Sequence, residues 1–157
     1  MRAALATVLV FAVVGCGGDD SLSRGEWVAQ ANAICLETLE QVEALGRPAT
    51  SDDYLRVTPD ANRLGREAIG RLRDLKEPGE IEDEVRDMID GYEESIEQQE
   101  RVYEGMKAQR EGQGGPFPDY GRAGLRAIEA GRAADAIAKR LRATDCARDP
   151  WQAPSQT

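Results

Sequence analysis

Apolar positions recur every three or four residues along most of the chain, the spacing of amphipathic helices rather than strands. The first such run places Trp27, Ala31, Ile34, Cys35, Thr38, Val42 and Leu45 on one face. Ser23 precedes it as an N-cap, and Glu26 completes the spacing of a capping box. Gly46 is the expected stop, with Pro48 preventing continuation. A second run begins near Ser51 with Tyr54 and Leu55. It continues through Ala61, Leu64, Ala68, Leu72 and Leu75 and ends before Pro78-Gly79. Thr58-Pro59 either kinks this helix or starts a new one with Pro59 at its first position. The third and longest helix is expected over about 80–110, lined by Ile81, Val85, Met88, Tyr92, Ile96, Gln99, Val102 or Tyr103, and Met106. Residues 111–118 form a Gly- and Pro-rich loop, with Phe117 a candidate plug over one end of the core. The fourth helix, about 119–144, carries Tyr120, Ala123, Ala127, Ala130, Ala134, Ile137 and Leu141. Its alanines, with Gly124 and Gly131, predict close approach to a neighbouring backbone. No stretch reads as a strand and no internal repeat occurs. The expected fold is all-α, an up-down-up-down bundle of four main helices.

One apolar run does not fit this scheme. Ala3 to Val14 carries no charge and only Thr7 as a polar residue, behind Met1-Arg2. As a helix it spans about 18 Å, short of the roughly 30 Å hydrocarbon core, so it reads as a secretory signal. Val13-Val14-Gly15-Cys16, followed by Gly17-Gly18-Asp19-Asp20, resembles the lipobox of bacterial lipoproteins. The resemblance implies a diacylglycerol on the Cys16 sulfur, cleavage before Cys16, and a mature chain on the outer face of the cell membrane. The competing reading is an ordinary secretory signal with an incidental cysteine. The expected organisation is a signal over 1–15, a lipidated tether over 16–22, the helical bundle over 23–146 and a loose tail over 147–157, where Trp151 could dock. Two or more acyl chains would anchor stably, since each buried CH₂ contributes about 0.8 kcal/mol. The tether reaches at most roughly 25 Å, which keeps the bundle near the membrane.

Charge sharpens the picture. The chain has a net charge of −9, and loss of Arg2 with the signal leaves 19 bases against 29 acids, or −10. A chain this acidic does not track nucleic acid phosphates, and as a whole it is repelled by anionic lipid heads. The charge is unevenly divided: −3 over residues 23–45, +2 over 58–76, −8 over 80–111 and +3 over 119–148. Signs therefore alternate from helix to helix, so every adjacent pair in an up-down bundle is oppositely charged.

Candidate chemistry is sparse. There is no histidine, which removes the commonest general base and transition-metal ligand. Glu93, Glu97, Glu100 and Glu104 fall on one face of the third helix. They form either an interaction face for a cationic partner or divalent cation, or a solvated face opposite the Arg-rich helices. A cation site needs oxygen ligands converging from several directions, and no EF-hand loop, P-loop, Rossmann glycine pattern or nucleophile elbow is present. No metal, cofactor or catalytic residue is assigned, and the chain is not expected to be an enzyme. The alternative is a cation-binding protein or envelope hydrolase using carboxylates of 80–110. Cys35, on an apolar stripe, is either an inert buried thiol or half of a disulfide. With Cys16 committed to lipid, Cys146 is its partner within the chain.

The opening Ser23-Arg24-Gly25-Glu26-Trp27, the run Ala31-Asn32-Ala33-Ile34-Cys35 and the late Cys146 resemble a group of small secreted or lipid-anchored helical proteins of high-GC Gram-positive bacteria. Residues 72–80, LRDLKEPGE, are similar to that group's Leu-x-x-Leu-x-x-Pro connector. Trp27 stands where phenylalanine or tyrosine is more usual. The resemblance implies the helical architecture, the envelope location and the Cys35–Cys146 pair, and it carries no activity. The expected function is a membrane-anchored binding module whose partner is a cationic envelope protein or ligand. Its oligomeric state is open.

Overall fold

The computed structural model describes residues 21–113 and 119–150. The expected signal segment over 1–15, Cys16, Phe117 and Trp151 lie outside them. Four helices follow in order: α1 (Arg24–Ala44), α2 (Ser51–Arg73), α3 (Glu82–Arg110) and α4 (Asp119–Leu141). No strand occurs among the described residues. The chain is the expected all-α bundle.

Local chemistry sets most of the helix ends. The Ser23 hydroxyl accepts from the Glu26 N–H, and the Glu26 carboxylate accepts from the Ser23 N–H at 3.0 Å, completing the capping box. These bonds hold the Glu26 carboxyl below its ordinary value. α2 has a second box, with Thr50 as N-cap and Asp53 in the reciprocal role, so its cap lies one residue before the expected start. Pro59 sits inside α2, which runs through it as one helix. A mid-helix proline costs about 3 kcal/mol. Burial of Val57, Leu64, Ala68, Ile69 and Leu72 on the same helix, at about 1.5–3 kcal/mol for each large side chain, outweighs that cost. α3 begins two residues later than expected and has no side-chain cap. Its start is fixed instead by Ile81, 1 % exposed, whose N–H donates to the Pro78 carbonyl.

α4 stops at Leu141, short of the expected 144. Arg142 adopts φ 70°, and its N–H donates to the Lys139 carbonyl while the Ala143 N–H reaches the Ala138 carbonyl at 2.9 Å. This is a Schellman end with arginine in the left-handed position that glycine usually fills. Ala138 and Ala143, the apolar pair that accompanies it, are fully buried.

α3 is the spine. It packs along α4 and α2, and α1 packs on α2. One apolar cluster joins Trp27, Ala31 and Ile34 of α1 to Ile69 and Leu72 of α2, Val85 and Met88 of α3, and Ala134, Ala138 and Leu141 of α4. Trp27 is fully buried, and its indole N–H finds no acceptor among the described residues, a cost that phenylalanine there would not carry. The α3–α4 seam is close at Gly131, where a Cβ would lie 3.2 Å from the Ser95 hydroxyl, less so at Gly124, and also at two glycines of α3. A Cβ on Gly91 would lie 3.1 Å from the Ala134 Cβ, and one on Gly105 would lie 2.9 Å from the Tyr120 Cβ.

The alternating helix charges meet across three interfaces. Glu37 pairs with Arg71 between α1 and α2. Asp52–Arg110, Arg66–Glu100 and Arg73–Glu93 join α2 to α3, and Arg140–Glu84 joins α4 to α3. All are exposed, worth about 0–1 kcal/mol each, so they select neighbours more than they add stability. The fourth side, α4 against α1, closes chiefly at one end, through the turn that follows α4.

Candidate functional site

That turn is the most elaborate polar junction of the bundle. Cys35 and Cys146 are disulfide-bonded, with Cα atoms 4.8 Å apart. One turn earlier on α1, the Asn32 amide donates to the Arg142 carbonyl at 3.2 Å and its oxygen accepts from the Asp145 N–H at 2.9 Å. From α3, the Tyr92 hydroxyl lies 3.0 Å from Asp135 Oδ1 of α4 and 2.9 Å from the Cys146 carbonyl. The stretch Ala31-Asn32-Ala33-Ile34-Cys35 thereby acquires a physical meaning. Ala31 and Ile34 enter the core, Asn32 clamps both sides of the turn, and Cys35 locks it. The sequence places Tyr92 on the lining face of the third helix and Asn32 in the opening motif, but assigns neither side chain a polar partner. The only available signal was an amide inside an otherwise apolar stripe.

Tyr92 and Asp135 are electrostatically coupled. Burial pushes the Tyr92 hydroxyl well above its ordinary value, and the neighbouring Asp135 charge adds to this. Burial also raises the Asp135 carboxyl, against the opposing hydrogen bond from Tyr92 and the nearby Lys139. A hydroxyl has one proton to give. When Asp135 is protonated it can donate to Tyr92, leaving the Tyr92 proton for the Cys146 carbonyl, and both contacts are then satisfied.

The four glutamates of the acidic row are split by the structure. Arg73 grips Glu93 with both terminal nitrogens, which holds the Glu93 carboxyl below its ordinary value, and Arg66 pairs with Glu100. Glu97 and Glu104 are exposed and have no ion-pair partner among the described residues. The pairing follows from register. Arg66 and Arg73 lie seven residues apart on α2, as do Glu93 and Glu100 on the antiparallel α3.

A shallow groove of about 500 Å³ opens between the start of α2 and the end of α3, lined by Asp52, Leu55, Arg56, Tyr103, Lys107 and Arg110 among others. Two of its three cations are already paired, Arg56 with Asp53 and Arg110 with Asp52. Among the described residues, no three or more His, Cys, Asp or Glu side chains group closely enough to hold a metal ion. No helix among them is long and apolar enough to cross a membrane. No protein-family model matches the chain, and no curated protein or solved structure is significantly similar to it.

Proposed function

We propose that the chain is an envelope lipoprotein, anchored through Cys16, whose helical bundle binds a cationic envelope partner by contact. The observation that carries this reading is the Cys35–Cys146 bridge. Disulfides of this kind persist in oxidising, extracytoplasmic compartments. The bridge uses two of the three cysteines and leaves Cys16, in its lipobox-like setting, as the odd one. The three interhelical anchors at the α4 turn hold a rigid scaffold, which suits recognition by a preformed surface. On that scaffold Glu97 and Glu104 are the carboxylates of the row left to meet a partner, with Glu94 exposed beside them. Charge complementarity of this sort mainly sets on-rate and specificity, and it weakens as salt shortens the Debye length below about 8 Å. The test is cross-linking in intact cells with Glu97→Lys and Glu104→Lys combined. The reading expects the neighbours recovered with the native chain to be lost and the fold retained. Recovery of the same neighbours at the same yield would leave the acidic row as a solubility feature.

A further inference from the structure

α4 exposes two large aliphatic side chains, Leu125 at 63 % and Ile128 at 52 %. They are three residues apart and so adjacent on one helix face. The opposite face, with Ala127 and Ala134, is buried against α3. Arg132 and Lys139 share this face and Arg126 flanks it, all exposed, against the exposed Glu129 and the half-buried Asp135, which lies beside Lys139. Arg126 and Arg132 have no ion-pair partner among the described residues. This face is opposite in sign to the chain as a whole, which carries −9. On α3, the unpaired Glu97 and Glu104 leave the helix on the side turned away from Gly91 and Ser95, which face α4. The bundle is therefore electrically polarised, basic and apolar along α4, acidic along the far side of α3.

An apolar patch within a basic rim on a helix is the composition that binds the interface of an anionic bilayer. We propose that the outer face of α4, centred on Leu125 and Ile128 and rimmed by Arg126, Arg132 and Lys139, docks on the anionic lipid surface to which the chain is tethered. The proposal rests on the membrane anchoring argued above. The attraction is local, whereas the repulsion expected from net charge is global, so the surface orients the bundle: α4 lies down and the acidic side of α3 turns outward, towards a partner. Geometry allows it. α4 has 23 residues, about 35 Å of helix that can lie along a surface. Leu22 packs on the same core cluster as Leu141 and Ala143, at the C-terminal end of α4. The six residues from Cys16 to Leu22 span at most about 20 Å, enough for that end to rest on the membrane.

The mature protein purified from membranes is reconstituted with vesicles of phosphatidylcholine alone or mixed with phosphatidylglycerol. Flotation reports attachment, and hydroxyl-radical labelling of Leu125 and Ile128 reports docking. The expected result is flotation with both lipids and a several-fold drop in labelling only on the anionic vesicles. That drop should disappear at high salt and in the Arg126→Glu, Arg132→Glu variant. Flotation with equal labelling on both lipids would overturn the docking and leave the anchor standing. Failure to float on either lipid would overturn the anchor and the docking with it. Protection seen only in intact cells would assign the face to a protein and overturn a lipid partner.

Discussion

The disulfide offers a perturbation whose size can be worked out in advance. Cys35 and Cys146 are separated by 111 residues, so the bridge closes a loop nearly as long as the bundle. In the chain-entropy model a loop of this length stabilises the fold by about 4.8 kcal/mol. Little should be lost to distortion, because the 4.8 Å Cα separation lies within the ordinary range for disulfides. A domain's total stability is about 5–15 kcal/mol, so the bridge supplies a third or more of it. The reduced chain should still fold. Asn32 keeps its two bonds to the turn, and Trp27, Ala31 and Ile34 keep α1 in the core. With an unfolding slope near 2 kcal/mol per molar urea, the Cys35→Ser, Cys146→Ser variant should lose roughly 2.4 M in midpoint. Urea titrations followed by Trp fluorescence and by far-ultraviolet circular dichroism measure this, with native and variant chains side by side. The two probes should give coincident single transitions, since one apolar cluster spans all four helices. Coincident curves for native and variant chains would refute the loop-closure reasoning. An early loss of Trp signal at constant helicity would refute the single core.

Three further outcomes follow from individual residues. Asp135 has a raised carboxyl, so its contribution to stability is fully present below the unfolded value of 3.8 and is lost as pH rises through the higher folded value. Asp135→Asn keeps an acceptor for Tyr92 without the charge, and it should raise the melting temperature at neutral pH, with the gain vanishing near pH 3. Arg142→Gly relieves a left-handed arginine, a strain of about 1–2 kcal/mol partly offset by the entropy of glycine, and should stabilise by about 0.5 kcal/mol in urea titration. Gly91→Leu forces side-chain atoms into Ala134 across the α3–α4 seam and should cost about 1–3 kcal/mol in the same assay.

The parts of this fold written locally were legible, and those imposed by contacts were not. The Ser23–Glu26 box and the Gly46 stop, with φ 81°, are short-range signals, and both appear as read. The end of α4 was misplaced because Arg142 carries no glycine signal. Its left-handed turn is held by burial of Ala143 and by Asn32 from α1, more than a hundred residues away in the chain. Continuity of α2 through Pro59 was left open for a related reason: burial along the whole helix decides it, and local propensity does not. The row Glu93, Glu97, Glu100, Glu104 was read correctly as one face. Its division needed the placement of α2, although the matching seven-residue spacings of Arg66, Arg73 and Glu93, Glu100 were present to be noticed. The polar junction of Tyr92, Asp135 and the Cys146 carbonyl had no sequence signature, because its members come from three elements.

The central claim is that Cys16 anchors this bundle to the outside of a membrane. Intact-mass and N-terminal peptide mass spectrometry on the chain isolated from cell membranes tests it most directly. The account predicts a mature chain that begins at Cys16, lacks residues 1–15, carries a diacylglycerol on the Cys16 sulfur, and retains the Cys35–Cys146 bridge. A chain recovered from the aqueous phase with Cys16 unmodified, or one that keeps Met1 to Gly15, would contradict it.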